Sequence, residues 1–172
     1  MTLLFVLALG LELGVYSMLP SYLVLAHGIE QSMVNGIVAG SRLTSLLMVF
    51  GSGWLSDHLG YKRVLAGTVV TAGLVTATLG FASGWPLIVA VYLQPMLVSG
   101  FFPAGLTAMA GISTPENRNL VVSLVIPIAY LLGAGLIPTA LGVLAELGLY
   151  GVGYIAVGLA MSAAVVLVPR LD

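Results

Sequence analysis

Six long apolar segments divide the chain, and short polar stretches separate them. The segments cover residues 3–26, 33–56, 62–82, 86–110, 119–145 and 150–169. Each has the roughly 20 mostly apolar residues that a helix needs to cross a bilayer. Their continuous apolar character excludes the alternating pattern of a transmembrane barrel strand. The pattern predicts an all-α polytopic membrane protein, a single six-helix transmembrane bundle over residues 1–172.

The polar breaks set the orientation of the predicted bundle. All are short, so neighbouring helices run antiparallel and alternate breaks share one side of the membrane. Lys62, Arg63, Arg118 and Arg170 fall on the side that holds both termini, and the opposite side holds no lysine or arginine. Because cytoplasmic loops carry the excess of Lys and Arg, we expect both termini in the cytoplasm, in a plasma or inner cell membrane.

Composition narrows the classes of function. Hydrophobic residues make up 60% of the chain and charged residues 6%, against about 25% charged residues in soluble domains. The net charge of −1 provides no basic field, so we expect membrane lipid around the chain and no nucleic-acid partner. The absence of cysteine excludes disulfides, thiolate metal sites and thiol nucleophiles.

Small residues recur at the spacing of helix–helix contacts in membranes. Three pairs of glycines lie four residues apart, which allows two backbones to approach closely in lipid. These pairs are Gly10 with Gly14, Gly36 with Gly40, and Gly80 with Gly84. We therefore expect glycine faces to pack against neighbouring helices and the polar residues of the same helices to point elsewhere.

Two ionisable residues lie deep within predicted spans. Glu12 and Arg42 each fall in the middle third of a hydrocarbon core of about 30 Å. A charge at that depth costs at least about 2.5 kcal/mol, so it should face a cavity or a partner. Tyr16 shares the helix face of Glu12, and Gln94 and Tyr130 reach comparable depth in the fourth and fifth helices.

These five residues are the predicted substrate-binding or coupling set. Arginine suits oxyanions because its planar fork donates two parallel hydrogen bonds. Glutamate suits proton coupling because removal from water favours its neutral form. The alternative for Glu12 and Arg42 is an ion pair that only holds two helices together. The alternative for Gln94 and Tyr130 is a bond to a backbone group that a nearby proline leaves free.

Other chemistries lack their parts. His27 and His58 are predicted on opposite sides of the membrane and cannot share a metal ion. No nucleophile and base fall at one depth, and no dinucleotide or phosphate-binding glycine motif occurs. We expect no enzyme activity, no catalytic residue, no metal and no cofactor.

The stretch GWLSDHLGYKRVL at 53–65 resembles the signature of the major facilitator superfamily, which lies between the second and third helices or between the eighth and ninth. His58 stands where the family has a basic residue, and Tyr61 replaces another. The positions that match the family's gating motif are Gly53, Asp57, Gly60, Lys62 and Arg63.

The resemblance implies half of a twelve-helix transporter, built as two inverted three-helix repeats. The diluted motif and the abrupt apolar start favour the C-terminal half, whereas an N-terminal half and a half-size protein that dimerises stay open. The expected partner is the missing six-helix half or a second copy. In the family, the motif aspartate acts at a helix N-terminus of the facing half. Asp57, Lys62 and Arg63 would then close a cytoplasmic gate.

The resulting hypothesis is a secondary active transporter that moves a small solute by alternating access, as symporter or antiporter and without ATP. Arg42 favours an anion as solute, and Glu12 favours protons as the coupling ion. The position of Arg42 is similar to that of the anion-binding arginine of nitrate/nitrite porters. The alternative is a non-transporting six-helix membrane scaffold or assembly subunit, in which both charges are purely structural.

Overall fold

The computed structural model describes residues 1–114 and 116–171. Within these residues it contains six helices that are long and apolar enough to span a membrane, and no strand. The prediction of an all-α polytopic membrane protein is therefore confirmed. The helices are α1 (Thr2–Leu25), α2 (Gln31–Leu59), α3 (Tyr61–Leu79), α4 (Trp85–Gly111), α5 (Arg118–Glu146) and α6 (Tyr150–Arg170).

Two helix boundaries differ from the expected spans by three residues. The helix α2 continues to Leu59 instead of ending at residue 56, because the polar SDHL stretch stays helical up to Gly60. The helix α3 ends at Leu79 instead of residue 82, where the chain turns through Gly80 into the ASGWP break. Polar residues thus mark where a span leaves the apolar layer, whereas the helix itself can continue past them.

Three of the helices change their winding along their length. The helix α1 contains a π-helical segment at Gly10–Val15, and α5 contains another at Tyr130–Leu136. These two segments face each other, with Gly133 against the backbone of Val6 and Gly10. The helix α6 ends in a 3₁₀ turn at Ala164–Arg170. Because local π-bulges recur at functional sites, the polar residues beside these segments of α1 and α5 are candidates for such a site.

Glycines set the closest helix contacts. The helix α3 packs on α6, where a Cβ on Gly73 or Gly158 would collide with the facing backbone. Gly10 and Gly14 both face α5, as the spacing predicts, whereas nothing lies within 4 Å of a Cβ placed on Gly36. Spacing alone therefore identifies a possible contact face and does not show whether a helix occupies it.

The helices α2 and α5 are the least buried of the six. In the most apolar stretch of each, 17% of residues are buried, against 33–56% in the others. The helix α2 exposes a stripe of large apolar side chains at helical spacing. The stripe consists of Leu43, Leu46, Leu47, Phe50 and Trp54. This outer surface is suited to lipid or to another apolar partner.

Candidate substrate and coupling site

Glu12 of α1 and Arg42 of α2 form an ion pair in the middle of the bundle. The Arg42 Nη1 donates to Glu12 Oε1, and Nη2 donates to the Glu12 backbone oxygen at 3.1 Å. The Arg42 side chain is 32% exposed and that of Glu12 is 16% exposed. The pair is thus only partly buried, and the Arg42 side chain keeps accessible surface that another group can contact.

Tyr16 holds the guanidinium from a second direction. The Arg42 Cζ lies 3.5 Å from the centre of the Tyr16 ring, in the geometry of a cation–π contact. The Tyr16 hydroxyl donates to the backbone oxygen of Val38 at 2.5 Å, one turn before Arg42 in α2. Two residues on one face of α1 therefore fix both the charge and the plane of the Arg42 side chain.

Ser99 joins the pair from α4 and was missed in the sequence. Its hydroxyl lies 3.4 Å from Glu12 Oε2, and the residue is 5% exposed. The available signal was a small polar residue five positions after Gln94 in an otherwise apolar helix. Serine is common in membrane helices, so this signal alone does not distinguish a site residue from a packing residue.

Gln94 contacts α1 next to the ion pair. It is fully buried, and its Nε2 donates to the backbone oxygen of Leu11 at 3.1 Å. Among the described residues, no group donates to its Oε1. Gln94 therefore binds a backbone group, but one on another helix and inside a π-helical segment. This is not the proline-freed carbonyl of the alternative given for Gln94, because no proline lies four or five residues after Leu11.

Tyr130 stands apart from this cluster. It lies at the start of the π-helical segment of α5 with 55% of its surface exposed. The structure shows no hydrogen bond from its hydroxyl to any described residue. Four of the five predicted residues, Glu12, Tyr16, Arg42 and Gln94, are thus linked through α1, and the fifth is not.

The glycine face of α1 explains why Glu12 points toward α2 and α4. A Cβ on Gly10 would collide with Ile137, and one on Gly14 would collide with Pro138, both in α5. The absence of these side chains lets α1 lie directly against α5 on that face. Glu12, on the opposite face of the same turn, is left to meet Arg42 and Ser99.

The predicted gating motif forms the turn between α2 and α3. Gly60 has φ +84° and lies between the last residue of α2 and the first of α3. A residue with a Cβ would be strained there, which explains the motif glycine. Asp57 is exposed, and no hydrogen bond reaches its carboxylate from the described part of the chain. Arg63 is also exposed, and no atom lies within 4 Å of a Cβ placed on Gly53.

A further group of aromatic residues lies at the opposite end of the bundle, around the C-terminal end of α1. The ring of His27 packs edge-on against Tyr22 at 4.8 Å, and Tyr22 packs on Tyr154 of α6 at 4.5 Å. The Tyr22 hydroxyl donates to the Leu79 backbone oxygen at 2.7 Å. Burial lowers the pKa of His27 below its ordinary value. This contact ties the ends of α1, α3 and α6 together.

Comparison with known proteins defines the class. The family model of the Major Facilitator Superfamily matches residues 1–172, so the chain belongs to this superfamily of membrane transporters. No curated protein and no solved structure gives a match to the chain. Family and fold together make it an integral membrane protein of a transporter superfamily, and not of an enzyme family.

Proposed function

We propose that the chain binds a small anion through Arg42 and couples its movement to a proton through Glu12, as part of a secondary active transporter. The observation that carries the proposal is the one-sided pairing of Arg42. Its guanidinium donates only to Glu12 among the described residues, and about a third of the side chain remains exposed. An arginine in this state can exchange its partner without losing its position over Tyr16.

The cost of unpaired charge makes the exchange stoichiometric. An arginine at the bilayer centre needs a negative partner, since an unpaired charge there costs at least about 2.5 kcal/mol. While Glu12 is ionised, it supplies that partner. When a proton binds the Glu12 carboxylate, the arginine is left unpaired until an anion takes the vacated hydrogen bonds. One proton therefore accompanies one anion, and with a monovalent anion the loaded site is as neutral as the empty one.

The anion itself would be held by two parallel hydrogen bonds. The planar guanidinium favours carboxylate, nitrate or phosphate oxygens in a bidentate arrangement. Ser99 is placed to act as a further contact, because its hydroxyl loses its charged acceptor when Glu12 becomes neutral. The proposed substrate class is thus a small planar or tetrahedral oxyanion.

Alternating access would use the motif at the other end of α2. With both termini in the cytoplasm, Asp57, Lys62 and Arg63 lie on the cytoplasmic side, where they would contact a facing six-helix unit. That unit is the missing half of the transporter or a second copy of this chain. The exposed apolar stripe of α2 and the empty space beside Gly53 support a partner on this side.

The test is anion-driven proton movement in liposomes. The protein is reconstituted with an internal pH-sensitive dye, and an inward gradient of sodium nitrate, phosphate or succinate is imposed, with sorbitol as the neutral control. Wild-type protein should acidify the lumen with at least one of the anions and not with sorbitol. Glu12→Gln should lose the acidification, and Arg42→Gln should lose both acidification and anion uptake. Equal acidification by Arg42→Gln would contradict the proposal.

A further inference from the structure

The π-helical segment of α1 is held by side chains from two other helices. Two consecutive backbone oxygens of this segment accept hydrogen bonds from outside α1. Leu11 accepts one from Gln94 of α4, and Glu12 accepts one from Arg42 of α2. A backbone oxygen accepts the N–H four residues later in an α-helix and five residues later in a π-helix, so these two bonds from other helices are additional contacts that hold the segment.

We infer that Gln94 is a positioning residue, which holds the π-helical segment of α1 so that the Glu12 carboxylate meets Arg42. It does not touch the solute in this arrangement, because it is fully buried. It acts through the carbonyl of Leu11, the residue directly before Glu12. The consequence for transport rests on the proposed function, whereas the positioning itself can be measured without transport.

The orientation of the Gln94 amide supports this role. Its Nε2 lies 3.1 Å from the Leu11 oxygen, and the reverse orientation would place two oxygens against each other. In this orientation the Oε1 is buried and accepts no hydrogen bond from any described residue, which is unfavourable. An apolar residue of similar size would avoid that unsatisfied acceptor, so the amide is favoured only where its N–H donor is needed.

The π-helical segment of α1 is held between α5 on one side and α4 on the other. On the far side of α1, a Cβ on Gly133 would collide with Val6 and Gly10, so α5 blocks movement in that direction. On the near side, α4 contributes both Gln94 to the backbone and Ser99 to the carboxylate. The segment is thus fixed from two sides, and Gln94 supplies the contact to its backbone from α4.

The variant Gln94→Leu removes the donor at nearly constant volume, and Thr44→Val is its matched control. Thr44 also makes a side-chain to backbone bond between helices, from α2 to the Tyr92 oxygen of α4 at 2.9 Å, and no hydrogen bond joins it to the described residues of α1. A third variant, Gln94→Glu, keeps the side-chain length, and its neutral carboxyl can donate to the Leu11 oxygen.

Two measurements read the position of Glu12 directly. Amide hydrogen exchange is followed on the peptide that contains residues 10–15, and dicyclohexylcarbodiimide, which reacts with protonated buried carboxyls, is used to label Glu12 at neutral pH. In Gln94→Leu we expect exchange and labelling to rise about tenfold, the ratio that corresponds to the roughly 1.4 kcal/mol of one lost hydrogen bond. Thr44→Val should change neither, and Gln94→Glu should restore slow exchange.

The outcomes separate this inference from the proposed function. Wild-type exchange and labelling in Gln94→Leu, with the protein folded, would overturn the positioning role even if transport is proton-coupled. If Gln94→Leu does not fold, the Gln94→Glu variant decides: fast exchange at residues 10–15 in that variant overturns the inference. Failure of the anion-driven proton assay in wild type would overturn the proposed function alone, because neither measurement here depends on transport.

Discussion

Two groups of charged residues differ in whether they find a partner within the chain. Glu12 and Arg42 lie within membrane-spanning helices, and each finds its partner inside the chain. Asp57 and Arg63 lie at the junction of α2 and α3, where they are exposed, and Asp57 accepts no hydrogen bond from the described residues. The charges of the first group are paired within the six-helix bundle. The second group lies on a surface where another protein unit could bind.

Depth in the membrane accounts for the difference. An unpaired charge at the bilayer centre costs at least about 2.5 kcal/mol, so the fold has to supply a partner there. A charge at a helix end stays in water at almost no cost. It therefore needs no permanent partner and can pair in only one conformation of the transporter. In the proposed function the internal pair is the solute and proton site, and the exposed motif residues form the gate.

Removal of the internal pair should have the largest effect. Arg42→Gln should lower anion uptake at least about 100-fold, since it removes two charge-assisted hydrogen bonds of roughly 1.5–3 kcal/mol each. Glu12→Gln should be the less stable single variant, because it leaves Arg42 without a carboxylate. Uptake in liposomes and thermal unfolding in detergent measure the two effects.

The double variant Glu12→Gln with Arg42→Gln separates transport from scaffolding. It contains no unpaired charge, so its melting temperature should return close to that of the wild type while uptake stays lost. A scaffold needs only the folded bundle and would keep its function in this double variant. Full activity of the double variant would therefore assign the pair a structural role.

The next largest effect is expected on stability, when the close contact of α5 with α1 is disturbed. This contact directs Glu12 toward α2 and α4. Gly133→Ala should destabilise the protein by about 1–3 kcal/mol, because the added methyl meets the backbone of Val6 and Gly10. Gly135→Ala, two residues later in the same π-helical segment, is the control, since nothing lies within 4 Å of its Cβ position. Unfolding by detergent titration measures both, and equal stabilities would show that α1 and α5 are not in this close contact.

Substitution of the exposed motif residue Asp57 should have a smaller effect on transport than substitution of Glu12 or Arg42. Asp57→Asn should slow the transport cycle about 2- to 5-fold, the factor that corresponds to the roughly 0.3–1 kcal/mol of a carboxylate at a helix N-terminus. Anion binding should be kept, because Asp57 is not part of the Glu12 cluster. Glu116→Gln changes another carboxylate that is exposed on the same predicted side, and it should leave the rate unchanged. Loss of binding in Asp57→Asn would join the two regions into one site.

The smallest expected effect is a pH dependence at His27. Because burial lowers the pKa of His27 in the folded protein, the unfolded chain takes up a proton first as the pH falls. Stability is therefore complete above the ordinary histidine value of about 6.5 and decreases below it. We expect the melting temperature to fall by about 1–2 °C on mild acidification, and His27→Phe to remove this change. His58→Asn, at the exposed end of α2, is the control and should keep it.

Much of the architecture follows from the sequence for a physical reason. Lipid forces every spanning segment into a helix, so six apolar runs suffice to predict six helices. The orientation of Glu12 also follows, because Gly10 and Gly14 mark the face that packs on α5. Arg42 is the only ionisable residue of comparable depth, and the structure pairs the two.

The remaining details depend on winding and on neighbours, which periodicity does not encode. Regular α-helical geometry underlies the wheel argument, so it cannot reveal the π-helical segments at Gly10–Val15 and Tyr130–Leu136. The contacts of Ser99 and Gln94 with α1 depend on the rotation of α4. Tyr130 has the right depth but lies on an exposed face of α5, because depth alone does not fix direction.

The number of protons taken up for each anion bound directly tests the exchange of Arg42 between Glu12 and the anion. Calorimetric titration of the purified protein with sodium nitrate, phosphate or succinate, in two buffers of different ionisation enthalpy, measures this number at neutral pH. We predict about one proton for each anion bound in the wild type, because Glu12 is the one carboxylate of the proposed site, and none in Glu12→Gln. Anion binding without proton uptake, or unchanged proton uptake in Glu12→Gln, would contradict the exchange between Glu12 and the anion at Arg42.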